Sequence, residues 1–172
     1  MAGRRPMPDS VWGAPARGWR EGGAEGPIAP MARIALVSAA HIHTRSFLDN
    51  LAKSGDGRSC VAIWDDVPDR GRRYAQSAGV RFEASLEALL AAGDVDGFCV
   101  CAENSKHAAL LERLIPVGKP IFVEKPMVTD AAEAALVARL VAQHRTPMVC
   151  GWFHQSSREI RTVVRLLDAG IV

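Results

Sequence analysis

The sequence predicts an α/β protein, a doubly wound parallel sheet with helices on both faces. Three observations carry this. From Met31 onward short apolar runs alternate with segments of helical period. The runs are apolar at successive positions, as strands covered on both sides require. The first run ends in a turn of small residues that opens an amphipathic helix marked by Phe47, Leu48 and Leu51. A chain of 172 residues suits one such domain, alone or with a fragment of another. It is too short for an eight-fold barrel, which takes about 250 residues.

The expected strands are Arg33 to Val37, Cys60 to Trp64, Gly97 to Cys101, Pro120 to Val123 and Met148 to Cys150, with a weaker one near Val80 to Phe82. Helices are expected between them, over His43 to Lys53, Pro68 to Ala78, Ser85 to Ala91, Ser105 to Val117 and Asp130 to His144. Several carry their own boundary marks. Pro68 suits a first helical turn, Gly79 and Gly118 stop helices, and Thr129-Asp130 with Glu133 forms a capping-box pattern. A final amphipathic stretch, Ser156 to Ala169, is expected to expose an apolar stripe of Ile160, Val163, Val164 and Leu167.

Ahead of the first strand, residues 1–30 hold five of the ten prolines and six of the fifteen glycines, without periodicity. The expectation is a disordered extension, with Trp12 and Trp19 undocked. A second methionine, Met31, stands just before the ordered part. Net charge is +2, which gives no broad electrostatic field for a polyanion, so nucleic acid is not an expected partner. No run is apolar for long enough to cross a bilayer or to form a signal-peptide core. Cys60, Cys99, Cys101 and Cys150 lie in or beside apolar runs, not at disulfide or metal-ligand spacing, which points to reduced thiols and a cytoplasmic location.

In a doubly wound sheet of the Rossmann type, the ligand lies at the carboxyl ends of the strands, where the first helix offers free amides to a pyrophosphate. The turn to inspect is Ser38-Ala39-Ala40-His41-Ile42-His43. The three positions of G-x-G-x-x-G fall on Ser38, Ala40 and His43, and none is glycine. Read alone, that is a weak dinucleotide signal. Ser38 and Ala40 are the next smallest choices, however, and Ser38 offers a hydroxyl. The second strand ends at Asp65, 22 residues beyond His43, near the spacing of the carboxylate that binds the adenosine ribose. An acid there favours NAD. Arg70, Arg72 and Arg73 leave NADP open, unless they form a solvated helix face.

Two further loops share that edge. One reads Cys101-Ala102-Glu103-Asn104-Ser105-Lys106-His107, the other Val123-Glu124-Lys125-Pro126-Met127. A Glu-Lys-Pro triplet closing a buried strand is unusual. Together with Asp65, with Asn104 and His107 in the place of a Pro-Asn-x-x-His loop, and with Gly151-Trp152-Phe153-His154, the pattern resembles the nucleotide-binding half of the Gfo/Idh/MocA (glucose-fructose oxidoreductase / inositol dehydrogenase) family over Met31 to Val172.

The resemblance implies a nicotinamide-dependent oxidoreductase acting on a sugar, cyclitol or related polyol, with Lys125 at the reacting carbon. Oxidising a carbinol requires removal of its hydroxyl proton, which a lysine in reach can hold; a surface lysine paired with Glu124 is the plain alternative. The family implies a cofactor site of Ser38, Ala39, Ala40, His41, His43, Asp65, Asn104, His107, Glu124 and Lys125. For His107, a histidine satisfied by backbone is an equal reading. Three departures stand out: the missing glycines, Glu103 in place of proline, and His154 in place of arginine. The family continues into a second α/β domain that supplies the substrate wall and oligomer contacts. The expected organisation is therefore an extension over residues 1–30, an NAD(P)-binding domain over 31–150, and the start of a truncated substrate domain over 151–172. Such a chain is expected to bind cofactor yet to be catalytically incomplete.

Two rivals remain. His41-x-His43 after a first strand also resembles the metal pair of amidohydrolases, but those barrels need more residues and further ligands, and only His107, His144 and His154 remain. No metal is expected. A nucleotide-binding or interaction module without catalysis is the non-enzyme alternative.

Overall fold

The computed structural model describes residues 32–152 and 157–171. The tail with Trp12, Trp19 and Met31, and also Phe153, His154, Ser156 and Val172, lie outside the described residues. The elements in chain order are β1 (Arg33–Val37), α1 (Thr44–Lys53), β2 (Ser59–Trp64), α2 (Pro68–Ala78), β3 (Arg81–Glu83), α3 (Leu86–Ala91), β4 (Gly97–Val100), α4 (His107–Leu114), β5 (Ile121–Val123), α5 (Ala131–His144), β6 (Met148–Cys150) and α6 (Arg158–Asp168). The strands form one parallel sheet in the order β3-β2-β1-β4-β5-β6. Strand order reverses between β1 and β4. A ligand crevice opens at such a point, because the crossovers on its two sides leave toward opposite faces.

The two-sided burial read from the sequence is observed. All four residues of β4 are buried, as are Ala35, Leu36 and Val37 of β1. Alternate side chains serve opposite cores. Ala35, Val37, Phe98 and Val100 pack with Leu111, Leu114, Ile115 and Val137 on one face, and Leu36 and Cys99 pack with Leu48, Ile63 and Ala75 on the other.

Boundaries shift by a residue or two, for local reasons. Ser85 and Asp130 stand outside their helices as caps, accepting the amides of Ala88 and Glu133. The Glu133 carboxylate reaches back to the Thr129 amide and hydroxyl at 2.8 Å, which completes the box one residue earlier than the usual pattern. Between Glu103 and α4 the chain forms a 3-10 turn at Asn104–Lys106, and after α4 another at Ile115–Val117, where Pro116 has no amide to continue the α-helix. The weak third strand is real but starts at Arg81. On α6, Ile160, Val163, Val164 and Leu167 are exposed as expected. No helix of the described residues is long and apolar enough to cross a membrane.

Candidate nucleotide site

Strand register brings the site together. Val37 pairs with both Trp64 and Val100, Val100 pairs with Val123, and Val123 pairs with Cys150. The residues that follow, Ser38, Asp65, Cys101, Glu124 and Gly151, therefore lie along one edge of the sheet. Gly151 belongs there for a steric reason. A Cβ on it would stand 2.8 Å from Phe122 Cζ and 3.4 Å from Glu124 Oε2.

At the first turn, Ser38 takes φ 65°, the left-handed conformation for which glycine is the usual residue. The fingerprint is thus missing in letters but present in backbone shape at its first position. The Ser38 amide donates to Trp64 O at 2.7 Å, the Ala39 amide to Asp65 Oδ2 at 2.8 Å, and the His41 amide to Cys101 O at 2.9 Å. These bonds pin the turn to β2 and β4. Among the described residues none engages the Ala40 or Ile42 amide, which leaves both donors to an anion at the start of α1.

Asp65 is buried, and its carboxylate also accepts from the Val67 amide at 2.7 Å and twice from Arg70 at 2.8 Å. It fixes the turn as well as marking the end of β2. Of the three arginines, Arg70 is not a solvated residue. Its guanidinium also reaches Glu103 Oε1 at 3.0 Å, Asp66 Oδ1 at 3.2 Å and Ser38 Oγ at 3.3 Å, and Asp65 first, then Glu103, raise its pKa above the ordinary arginine value against the pull of burial. Lys106 ties the same belt together at Asp66 and Glu103. Arg72 lies over the Phe82 ring. Glu103, a departure from the family loop, is therefore the arm that joins the β4 loop to α2.

On the other side of the turn, Glu124 is fully buried. Its Oε1 lies 2.9 Å from His43 Nδ1 and 3.8 Å from His41 Nδ1, while its Oε2 accepts the Lys125 amide at 2.8 Å. His41 Nδ1 in turn accepts the His43 amide at 3.3 Å. Burial lowers the pKa of His41 below its ordinary value, against the pull of Glu124, and the charge of Lys125 acts in the same downward direction. His107 is buried, with Nδ1 2.8 Å from Pro126 O and Nε2 3.2 Å from Ala102 O. Both ring nitrogens thus face backbone carbonyls, and the tautomer sets which of the two is the donor. Asn104 opens the 3-10 turn, and its carbonyl accepts the His107 amide. Four cysteines are free, and burial pushes the Cys60 thiol up to about 11.

Comparison with known proteins settles the family. The sequence model described as the oxidoreductase family with an NAD-binding Rossmann fold matches residues 32–151. The chain belongs to the Gfo/Idh/MocA oxidoreductase family. An inositol 2-dehydrogenase of Saccharopolyspora erythraea is 32% identical over 133 residues, covering 76% of this chain and 38% of the relative. That of Rhizobium meliloti is 28% identical over 110 residues, covering 64% of this chain and 33% of the relative. The structure of a 3-ketoreductase from Actinomadura kijaniata, in complex with NADP and TDP-benzene, superimposes with a TM-score of 0.71 at 25% identity, covering 84% of this chain and 44% of that one. This family member thus spans between about a third and two fifths of the length of the curated relatives it matches.

Sequence reasoning missed two contacts of the site. One is the Arg70 fork on Asp65; an arginine one turn into the helix after an acidic strand end was the available signal. The other is the His43–Glu124 pair, 81 residues apart, for which no local signal exists.

Proposed function

We propose that this chain is the nucleotide-binding part of an NAD(P)-dependent oxidoreductase for a sugar, cyclitol or related polyol. The observation that carries the reading is the single edge shared by Ser38, Asp65 and Glu124, with Glu124 bridging the first turn and the backbone of Lys125. The residues fit a dinucleotide. The left-handed Ser38 turn and the open amides of Ala40 and Ile42 suit a pyrophosphate, and Asp65 ends β2 at the ribose position with its own oxygens held by Ala39, Val67 and Arg70. Asp65 favours NAD, while Arg70 keeps a cation beside any 2′-phosphate, so NADP remains a usable cofactor. A bound nicotinamide supplies the acceptor or donor of hydride.

Lys125 is the residue assigned to the reacting carbon. Its amine takes the proton of the carbinol hydroxyl as the carbon–hydrogen bond gives up its electron pair, and it returns a proton in the reverse direction. Glu124 and His43 act as positioning residues, and His107 holds Pro126 against the β4 loop. Asn104 sits at the mouth of that loop, on the nicotinamide-ribose side. Residues 32–151 supply the cofactor wall. The substrate wall and any homo-oligomer contact belong to a second domain of the kind that the longer relatives have room for. Four free thiols suit a reducing, cytoplasmic setting.

Calorimetry with NADH and NADPH tests this reading. Weak but saturable NADH binding, weakened in the folded Asp65→Asn variant, is the expected outcome. The isolated chain is expected to turn over no polyol at a useful rate, because an uncovered nicotinamide face neither excludes water nor holds substrate in line. Absence of any nucleotide binding overturns the cofactor site, and strong Lys125-dependent turnover by this chain alone overturns the division of labour.

A further inference from the structure

Asp65 stands where a ribose-binding carboxylate belongs, yet its acceptor positions are already filled. A carboxylate offers about four of them, two on each oxygen. Oδ1 takes the Val67 amide and Arg70 Nη2, and Oδ2 takes the Ala39 amide and Arg70 Nε, each at 2.7 or 2.8 Å, and the side chain is buried. The hydroxyls of an adenosine ribose therefore need an acceptor elsewhere. We propose that Glu103 is that acceptor and that it, more than Asp65, makes this chain prefer NAD to NADP; the inference rests on the nucleotide-binding reading.

Position, capacity and charge single out Glu103. It follows β4, at the point where strand order reverses, and Arg70 ties it to the far side of the first turn. That guanidinium meets Glu103 Oε1 at 3.0 Å, Ser38 Oγ at 3.3 Å and Asp65 at 2.8 Å. The Glu103 carboxylate is thus one guanidinium away from Asp65 and from Ser38. It also has room to accept. Among the described residues its Oε2 receives no aligned hydrogen bond, only the ion pair with Lys106 Nζ at 3.0 Å. Asp66, the other acid within reach, has both oxygens hydrogen-bonded, Oδ1 to Arg70 at 3.2 Å and Oδ2 to Lys106 at 2.5 Å. Burial pushes the Glu103 pKa up, but its own backbone amide, Lys106 and Arg70 bring it below the ordinary value, so the acceptor is ionised. The charge balance points the same way. Asp65, Asp66 and Glu103 outnumber Arg70 and Lys106 by one, which suits a ribose hydroxyl as donor and repels a 2′-phosphate.

The test is calorimetry of the whole chain with NADH and with NADPH. The wild type is expected to bind NADH more tightly. Glu103→Gln is expected to weaken NADH by roughly 10-fold, the scale of one hydrogen bond to a charged group, and to tighten NADPH, because Arg70 and Lys106 are released to a phosphate. Glu103→Pro removes the acceptor altogether, at a φ of −63° that proline adopts without strain, and the same shift in preference is expected. Asp65→Asn is expected to weaken both nucleotides alike, since it acts through the turn. A preference unchanged in both Glu103 variants, one that shifts in Asp65→Asn or Asp66→Asn instead, or a wild type that prefers NADPH overturns the proposal and leaves the cofactor site standing. A wild type that binds neither nucleotide overturns both.

Discussion

Glu124 Oε1 stands 2.9 Å from His43 Nδ1 across the mouth of the sheet, joining the residue that opens the β5 loop to the residue that caps α1. The same carboxylate holds the Lys125 amide. Glu124→Ala removes the acceptor of two part-buried groups, the His43 ring and the Lys125 amide, and a cost of about 1–3 kcal/mol is expected. Glu124→Gln keeps one acceptor and is expected to cost less. Urea midpoints of the two variants, with unchanged slopes, check the ranking.

Asp65 serves structure before it serves a ligand. Asp65→Ala strands the Ala39 and Val67 amides and the Arg70 guanidinium, for an expected loss of about 3–5 kcal/mol. Asp65→Asn keeps the shape and one acceptor, and is expected to lose about 2 kcal/mol. Equilibrium unfolding measures both, and NADH titration of the folded Asn variant shows whether affinity falls as well.

Gly71 sets a helix preference against a contact. In α2 an alanine gains roughly 1 kcal/mol of helix propensity. Its Cβ, however, would stand 2.5 Å from Phe82 Cε2 and 2.7 Å from Asp65 Cβ. Overpacking of this kind costs about 1–3 kcal/mol, and Asp65 Cβ cannot swing aside. Gly71→Ala is therefore expected to lower the melting temperature, contrary to propensity alone.

Ser38 holds a positive φ that glycine adopts freely. Ser38→Gly relieves roughly 1 kcal/mol of left-handed strain and loses a similar amount to chain entropy, so stability is expected to change little. Ser38→Val places a β-branched residue at that φ, and is expected to cost about 1–3 kcal/mol or more. Thermal unfolding separates them.

Arg33 grips Asp96 through its amide and its guanidinium, holding that carboxyl at about 2 against an ordinary 3.8. A depressed carboxylate stabilises the fold above its unfolded pKa and loses that contribution as pH falls through the folded one. Acid unfolding between about pH 4 and about pH 2 is expected to be flatter in Asp96→Asn than in wild type, as read by urea midpoints across that window.

The strands and the helix boundaries at Pro68 and Gly79 were legible in the sequence, as was the placing of Ser38 and Asp65 at strand ends; each rests on a local rule of period, cap or spacing, whereas Lys125 was singled out by the family resemblance. The conformation of Ser38 was not legible, because small size does not reveal the sign of φ. Nor was the role of Arg70, since the same helix face carries Arg72 and Arg73 and only one of the three meets Asp65.

By itself the sequence determined the doubly wound class and the strand ends on which its chemistry lies, because hydrophobic period and the alternation of strand with helix act through near neighbours along the chain. The tertiary structure alone decided which distant groups meet: His43 with Glu124, Arg70 with Asp65 and Glu103, His107 with Pro126. Those pairings depend on strand register and on burial that removes water as the competing partner, and neither is written in any single segment.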